Sequence, residues 1–180
     1  MVRFLLLMPL LLAGCVQTSG ALRLWGGDVV VAAPAGYCVN QSASTQGRER
    51  AVTLLGKCVQ SGKVEPALIT ISFGDKGSGL VMAEGPQALA RHLKTPAGRA
   101  SLARDGRAAS VKISQMSLGQ DELLLELMDR RSGRQWRAFL PLKGRLTSIS
   151  VQAPQGASLR EGRALLLKTL AALRKANPSL

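Results

Sequence analysis

Between residues 109 and 152 the chain alternates between strand-forming stretches and very short breaks, and this pattern constrains the fold more than any other. The stretches are 111–118, 122–128, 135–142 and 146–152. Ser132-Gly133 and Lys143-Gly144 are connections short enough for hairpins. In the third stretch, apolar side chains occupy alternate positions: Trp136, Ala138, Leu140 and Leu142. Gln135 and Arg137 take the opposite face. The pattern therefore predicts an antiparallel meander.

Three apolar stretches nearer the N-terminus predict additional strands, at 29–33, 52–58 and 67–73. The Ser-, Gln- and Arg-rich segment before residue 52 is predicted to be a loop. The segment 74–79 is rich in glycine but lacks the Gly-Lys-Ser/Thr ending of a phosphate-binding loop. We therefore predict that it is a flexible turn without a ligand.

Helices are predicted between these two groups of strands and at the C-terminus. Pro86 opens the first helix, and Thr95 followed by Pro96 is typical of the start of a second. Ser158 is predicted to cap the C-terminal helix. Its leucines recur at near-helical spacing: Leu159, Leu166, Leu170 and Leu173. This stripe predicts a lid over the sheet, although a helix lying on a membrane surface is an alternative.

Together these elements predict an α+β fold: an antiparallel β-sheet of about six to seven strands with a helical insert and a C-terminal helix packed on it. The opening Val29-Val30-Val31-Ala32-Ala33-Pro34-Ala35-Gly36-Tyr37, the element order and the terminal helix resemble the Mog1/PsbP-like fold over about residues 28–176. Proteins of that fold include binding and assembly factors without one shared chemistry. The resemblance therefore implies a fold and transfers no site residues.

The N-terminus has the layout of an export signal, with Arg3 before an apolar run that is too short to cross a bilayer. Its end, Leu12-Ala13-Gly14-Cys15, resembles the lipobox of bacterial prolipoproteins. The resemblance implies cleavage before Cys15 and attachment of a diacylglyceryl group to its thiol. Val16, in place of Asp, indicates the outer membrane, with the protein facing the periplasm. We therefore predict a cleaved signal peptide at 1–14, a lipid-anchored tether at 15–27 and one domain at 28–180.

Two cysteines remain once Cys15 is assigned to lipid. In an oxidising compartment, Cys38 and Cys58 are predicted to form a disulfide, with two buried free thiols as the alternative. A metal site would need further ligands, and the single histidine, His92, lies far along the chain. We therefore expect no metal and no cofactor. Trp25, in the predicted tether, could lie at the membrane interface or pack on the domain.

The chain is strongly basic, with a formal net charge of +13. On an exported protein this balance favours anionic lipids, lipopolysaccharide or acidic partners. Nucleic acid is not expected, because aromatic residues make up only 3% of the chain and leave few side chains for base stacking. The densest basic cluster surrounds one predicted hairpin, and these residues are the candidate anionic contacts: Arg130, Arg131, Arg134 and Arg137. A solvated basic surface without a ligand is the alternative.

Little in the sequence points to catalysis. His92 has no nucleophile motif beside it, and Cys38 and Cys58 do not form a Cys-x-x-Cys pair. Asp121, Glu122 and Glu126 are the only carboxylate group that suggests hydrolysis, and Glu126 is expected to pair with Arg137. We therefore expect a non-enzymatic binding or assembly module for a protein or an anionic envelope component. The alternatives are an envelope hydrolase acting on peptidoglycan or lipid and a structural accessory lipoprotein.

Overall fold

The structure is a computed structural model that describes residues 21–59, 61–62 and 64–178. Cys15 and the predicted signal peptide lie outside these residues. Within them the strands are β1 (Ala21–Leu24), β2 (Val29–Ala32), β3 (Tyr37–Gln46), β4 (Ala51–Lys57), β5 (Leu68–Phe73), β6 (Val111–Leu118), β7 (Leu123–Asp129), β8 (Gly133–Leu142) and β9 (Arg145–Gln152). The helices are α1 (Gln87–Lys94), α2 (Pro96–Leu102) and α3 (Gly162–Ala176). None of these helices has both the length and the apolar character required to span a membrane.

Seven of the strands form one antiparallel sheet in the order β3-β4-β5-β9-β8-β7-β6. Strands β6 to β9 form the predicted meander, and β9 then pairs with β5. The β8–β9 connection is a two-residue turn, since Leu142 pairs with Arg145. Its central residues have positive φ, 48° at Lys143 and 74° at Gly144. This geometry matches the twist of an antiparallel pair. The predicted α+β class is thereby confirmed.

Two apolar layers hold the sheet between its covers. One face packs against α3 and the β1–β2 pair, and its core includes Val31, Ile71, Trp136, Ile149, Leu166 and Leu173. The other face is covered at strands β6 to β8 by α1, α2 and the short 3-10 turn Ser78–Met82. Its core includes Met82, Leu93, Leu102, Leu123, Leu125 and Leu127. Burial of aliphatic side chains on both faces is the main stabilising contribution in a chain with few aromatic residues.

The two short predicted helices begin where proline and threonine place them. Pro86 precedes α1, and the Thr95 side chain accepts a hydrogen bond of 3.1 Å from the Gly98 N–H at the start of α2. Gly98 also allows the two helices to touch, because a Cβ there would lie 2.1 Å from the His92 carbonyl oxygen. The helical insert is thus compact enough to cover one part of the sheet.

The C-terminal helix lies on the sheet, as predicted for a lid. Leu166, Leu170 and Leu173 are buried, so the apolar stripe is not free to lie on a membrane. The predicted start was wrong, however: α3 begins at Gly162, and Ser158 lies in the preceding loop. At Gly162 a Cβ would lie 2.1 Å from the Trp136 ring, so this close contact fixes where the helix approaches the sheet.

Two strands form where the sequence predicted none. The polar segment before β4 is strand β3, whose register with β4 shifts between Asn40 and Thr45. Polar side chains suit this position because β3 is an edge strand and much of it is exposed. Strand β1 lies within the predicted tether, so part of that segment is folded and Leu24 is buried.

The glycine-rich segment 74–79 was predicted to be a flexible turn, yet it is attached to the β8–β9 turn. The N–H groups of Gly77 and Gly79 donate to the Gly144 carbonyl oxygen at 2.8 and 3.1 Å, and the Gly74 N–H donates to Leu146 at 2.9 Å. A Cβ at Gly79 would lie 3.0 Å from the Gly144 carbonyl carbon, so this close approach favours glycine. The segment serves to hold the covering 3-10 turn against the sheet.

Trp25 packs on the domain, which decides between its two predicted positions. Its ring makes an edge contact with Phe73 at 6.0 Å, and the Arg145 guanidinium lies 3.9 Å from its centroid. The indole Nε1–H donates to the Gly47 carbonyl oxygen at 3.0 Å, and the backbone N–H donates to Gln46. These contacts fasten the end of β1 to the sheet.

The predicted disulfide is present. Cys38 in β3 and Cys58, just after β4, are bonded with their Cα atoms 5.1 Å apart. The bond joins an edge strand to its neighbour, at the end of the sheet where β3 begins. It therefore stabilises a strand whose own side chains contribute little buried apolar surface.

Replacing both cysteines by alanine should lower the free energy of unfolding by about 3 kcal/mol, because the open chain regains the entropy that a loop of this size loses on closure. Urea unfolding monitored by circular dichroism measures the change. Adding a reductant to the wild-type protein should reproduce it, and the same reductant should leave the Cys38→Ala/Cys58→Ala variant unaffected. An unchanged midpoint in the variant would contradict the stabilising role.

Candidate anion-binding site at the β7–β8 hairpin

The candidate site is a cavity of about 560 Å³ at the end of the sheet where β7 turns into β8. Its walls come from the hairpin tip, the end of α2 and the loop that follows β9. Three cationic side chains line it: Arg104, Arg131 and Arg134. The remaining lining residues are uncharged and include Ser132, Gly133, Trp136 and residues 152–159. Three guanidinium groups around a cavity without a carboxylate in its lining suit an anionic ligand.

Asp129 is a buried carboxylate that holds the backbone of the hairpin by hydrogen bonds. It is 1% exposed and accepts three backbone N–H groups, from Arg104 at 3.0 Å, Arg131 at 2.7 Å and Ser132 at 2.9 Å. Burial favours the protonated form, but the hydrogen bonds outweigh it and hold the pKa of Asp129 below its usual range. The carboxylate thus fixes the backbone of the hairpin and draws the segment after α2 to it.

The arginines of the hairpin differ in their partners. Arg130 and Arg131 are both exposed, and the Arg130 N–H donates to the Ser110 carbonyl oxygen at 2.9 Å. Arg130 lies beside the cavity but does not line it. Arg134 forms an ion pair with Glu126, with Nε and Oε1 3.5 Å apart, and its side chain is 60% exposed. An exposed pair at this distance holds the guanidinium weakly, so Arg134 can still reach a ligand.

Arg137 does not join the other three. In β8 it pairs with Leu125 and lies on the face that carries Gln135, whereas Trp136 and Arg134 lie on the opposite face. Its Nε–H donates to the Gln135 Oε1 at 3.0 Å. Burial lowers the pKa of Arg137, while the charge of Asp129 raises it. The arginine therefore belongs to a polar network beneath the hairpin and not to the cavity.

The predicted ion pair between Glu126 and Arg137 was wrong for the same reason. Glu126 pairs with Trp136 across the β7–β8 ladder, so its side chain lies on the face opposite to Arg137. It contacts Arg134 instead. Strand alternation separates residues that are close in sequence whenever they differ by an odd number of positions.

The other carboxylates of the predicted hydrolytic group lie elsewhere. Asp121 and Glu122 are in the β6–β7 turn, at the opposite end of the sheet from the cavity, and both accept hydrogen bonds from Arg174 of α3. Each of the three carboxylates, Glu126 included, therefore contacts an arginine. Among the described residues, none of the cavities holds two of them in its lining.

His92 lies exposed on α1, and the described residues contain no group of three or more side chains that could hold a metal ion. Arg104 is the site residue that the sequence analysis missed. It lies far from the hairpin along the chain, and its backbone N–H donates to Asp129 in the folded protein. The sole local signal is the end of α2 just before it.

No family of known proteins matches the chain, and no curated protein matches it either. Among solved structures, the Ran-binding protein Mog1p of Saccharomyces cerevisiae aligns with a TM-score of 0.50 and 12% identity. The alignment covers 87% of this chain and 92% of Mog1p. A mutant Mog1 protein aligns with a TM-score of 0.47 and 12% identity, covering 87% of this chain and 93% of that protein. The likeness to Mog1p concerns the fold, and it confirms the predicted Mog1-like architecture.

Asp129→Asn should lower the free energy of unfolding by about 1–3 kcal/mol near neutral pH, because the amide replaces one of the two accepting oxygens by an NH2 donor and leaves at least one backbone N–H without its acceptor. The pKa of Asp129 is lower in the folded state than in the unfolded state. The ionised carboxylate therefore stabilises the fold at pH values above its unfolded-state pKa, which is near 4. That stabilisation is lost as the pH falls through the lower folded-state value. The difference between wild type and variant should therefore shrink below about pH 4.

Urea unfolding at a series of pH values measures this difference. Glu84→Gln is a matched control, since Glu84 is an exposed carboxylate. A difference that stays constant down to the lowest pH would show that the Asp129 carboxylate does not act in this way.

Proposed function

We propose that this protein is a lipid-anchored, periplasm-facing module of the bacterial envelope that binds an anionic envelope component without catalysing a reaction. The observation that carries the proposal is the cavity at the β7–β8 hairpin, lined by Arg104, Arg131 and Arg134. Guanidinium groups donate paired hydrogen bonds to phosphate and carboxylate oxygens. A phosphate-bearing lipid, a lipopolysaccharide or an acidic protein segment would satisfy them.

Two features support the exported, anchored location. The residues Leu12-Ala13-Gly14-Cys15 resemble a lipobox, and Val16 follows them. The Cys38–Cys58 disulfide is the kind of bond that persists in oxidising compartments such as the periplasm. The two features are independent, since one lies in the leader and the other in the folded domain. Val16 favours the outer membrane.

The hydrolase alternative is less well supported by the geometry. Asp121 and Glu122 share Arg174, and Glu126 faces Arg134, so these carboxylates act as ion-pair partners. A purely structural lipoprotein is the remaining alternative, and the binding experiment below distinguishes it.

The anchor is tested at Cys15. The wild-type protein should carry acyl chains at this residue and remain with the membrane fraction in high salt, because two or more chains make anchoring stable. Cys15→Ser should carry none and be processed differently. Mass spectrometry of the N-terminal peptide and membrane fractionation in salt provide the readouts. A wild-type protein without acyl chains would refute the anchored location.

The binding surface is tested by the variant Arg130→Ala/Arg131→Ala/Arg134→Ala. Its affinity for detergent micelles that contain lipopolysaccharide should fall roughly 10- to 100-fold at low salt, since each cation near an anionic surface contributes about fivefold. Stability should change little, because these side chains are exposed. Titration monitored by fluorescence anisotropy of labelled lipopolysaccharide measures the affinity.

The matched control is Arg48→Ala/Lys76→Ala/Lys175→Ala, which removes the same charge from exposed positions at the other end of the sheet. It should keep most of the wild-type affinity. Equal losses in the two variants would assign the binding to overall charge. No loss in either would favour the structural alternative.

A further inference from the structure

We infer that the hairpin end of the domain faces the membrane that holds the lipid anchor, and that its arginines bind the phosphate groups of anionic phospholipids there. This inference rests on the proposed function, because it assumes that Cys15 is lipidated. It adds the identity of the anionic component and the orientation of the domain.

Strand β1 fixes where the chain leaves the domain. Ala21 pairs with Ala32 at the end of β2 from which the chain runs on to Tyr37 and β3. Trp25, at the other end of β1, is held by Phe73 and Arg145. The N-terminal tether therefore leaves toward the end of the sheet where β3 begins.

The register of the sheet places the basic hairpin at this same end. Tyr37 pairs with Lys57, and the β4–β5 connection follows directly. On the next strands Leu68 pairs with Gln152, and Gln152 pairs with Gln135 just after the hairpin tip. The cavity, the β4–β5 connection and the exit of the tether thus share one end of the molecule.

The tether is short enough to keep this end near the bilayer. Five residues, 16–20, separate Cys15 from Ala21. A fully extended chain of that length spans at most about 20 Å. The Debye length at physiological salt is about 8 Å, so a domain tethered this closely can bring its cations within range of a charged surface.

The charges at this end suit an anionic surface. Several of its carboxylates are already engaged: Asp129 is buried under the hairpin, Asp105 accepts from Ser110, and Glu65 pairs with Arg160 at 3.1 Å. Glu161 is exposed. The arginines Arg104, Arg130 and Arg131 have no ion-pair partner among the described residues.

An apolar side chain is exposed at this same end of the molecule, two residues after the exposed Lys57. Val59 directly follows Cys58 in the β4–β5 connection, and its relative exposure is 103%. The disulfide holds the start of this connection to β3. Aliphatic side chains beside basic ones are typical of surfaces that lie at the boundary between headgroups and acyl chains. The membrane is therefore a better fit than an acidic soluble protein.

The experiment reconstitutes the full lipidated protein in vesicles and measures the acetylation rate of Lys57 by mass spectrometry, with Lys143 at the opposite end as internal reference. In vesicles with 30% phosphatidylglycerol, Lys57 should react about tenfold more slowly than in phosphatidylcholine vesicles, because each cation contributes about fivefold to contact with the surface. Lys143 should react equally in both. High salt should remove the difference.

The two triple variants separate the hairpin from overall charge. Arg130→Ala/Arg131→Ala/Arg134→Ala should lose most of the Lys57 protection, and Arg48→Ala/Lys76→Ala/Lys175→Ala should keep it. Equal Lys57 rates in both lipids, protection of Lys143 instead, or equal losses in the two variants would each overturn the inference.

Flotation with phosphatidylcholine vesicles tests the anchor separately. If the protein floats but Lys57 shows no lipid-dependent protection, the orientation is wrong while the proposed function stands. If it does not float, the proposed lipid anchor itself is wrong.

Discussion

The pairing of β5 with β9 holds the two halves of this molecule together. Strands β3 to β5 and strands β6 to β9 are each joined by local connections, and the ladder from Leu68↔Gln152 to Phe73↔Thr147 unites them into one sheet. Ile69, Ile71, Ile149 and Val151 are fully buried along this ladder. The pairing brings together segments about 80 residues apart in sequence. The continuous apolar surface that α3 and the β1–β2 pair cover exists only when β5 and β9 are paired. The hairpin cavity depends on it too, since the loop after β9 supplies one wall.

Local patterns predicted most of the fold. The meander followed from alternation and short connections, although the β7–β8 connection is the three-residue turn 130–132 and Gly133 already begins β8. The start of α2 followed from Thr95 and Pro96. Strands β1 and β3 were not predicted, because an edge strand and a strand of a two-stranded pair need little apolar periodicity. Both are defined by pairing with strands that the sequence does not identify as their partners. Ser158 has the side chain of a cap, but α3 begins at Gly162, where the backbone lies against the Trp136 ring.

The candidate site was predictable only where it is local. Arg130, Arg131 and Arg134 are neighbours in sequence and meet at the hairpin tip. Arg137 was grouped with them although strand alternation places it on the other face. Arg104 lies at the cavity, where its backbone N–H donates to Asp129, and no sequence pattern predicts this contact. Of the four predicted arginines, only Arg131 and Arg134 line the cavity, and the fold adds the distant Arg104 to them.

The β1–β2 pair has a mechanical consequence for a chain pulled by its N-terminus. It is separate from the seven-stranded sheet, and Ala21 lies at the open end of the pair, opposite Ala32. Tension on that end therefore opens the β1–β2 hydrogen bonds one after another, as in unzipping. Trp25, fastened to Phe73 and Arg145 at the closed end, is the last point to yield. Opening of the pair therefore lengthens the tether before the pulling force acts on the seven-stranded sheet.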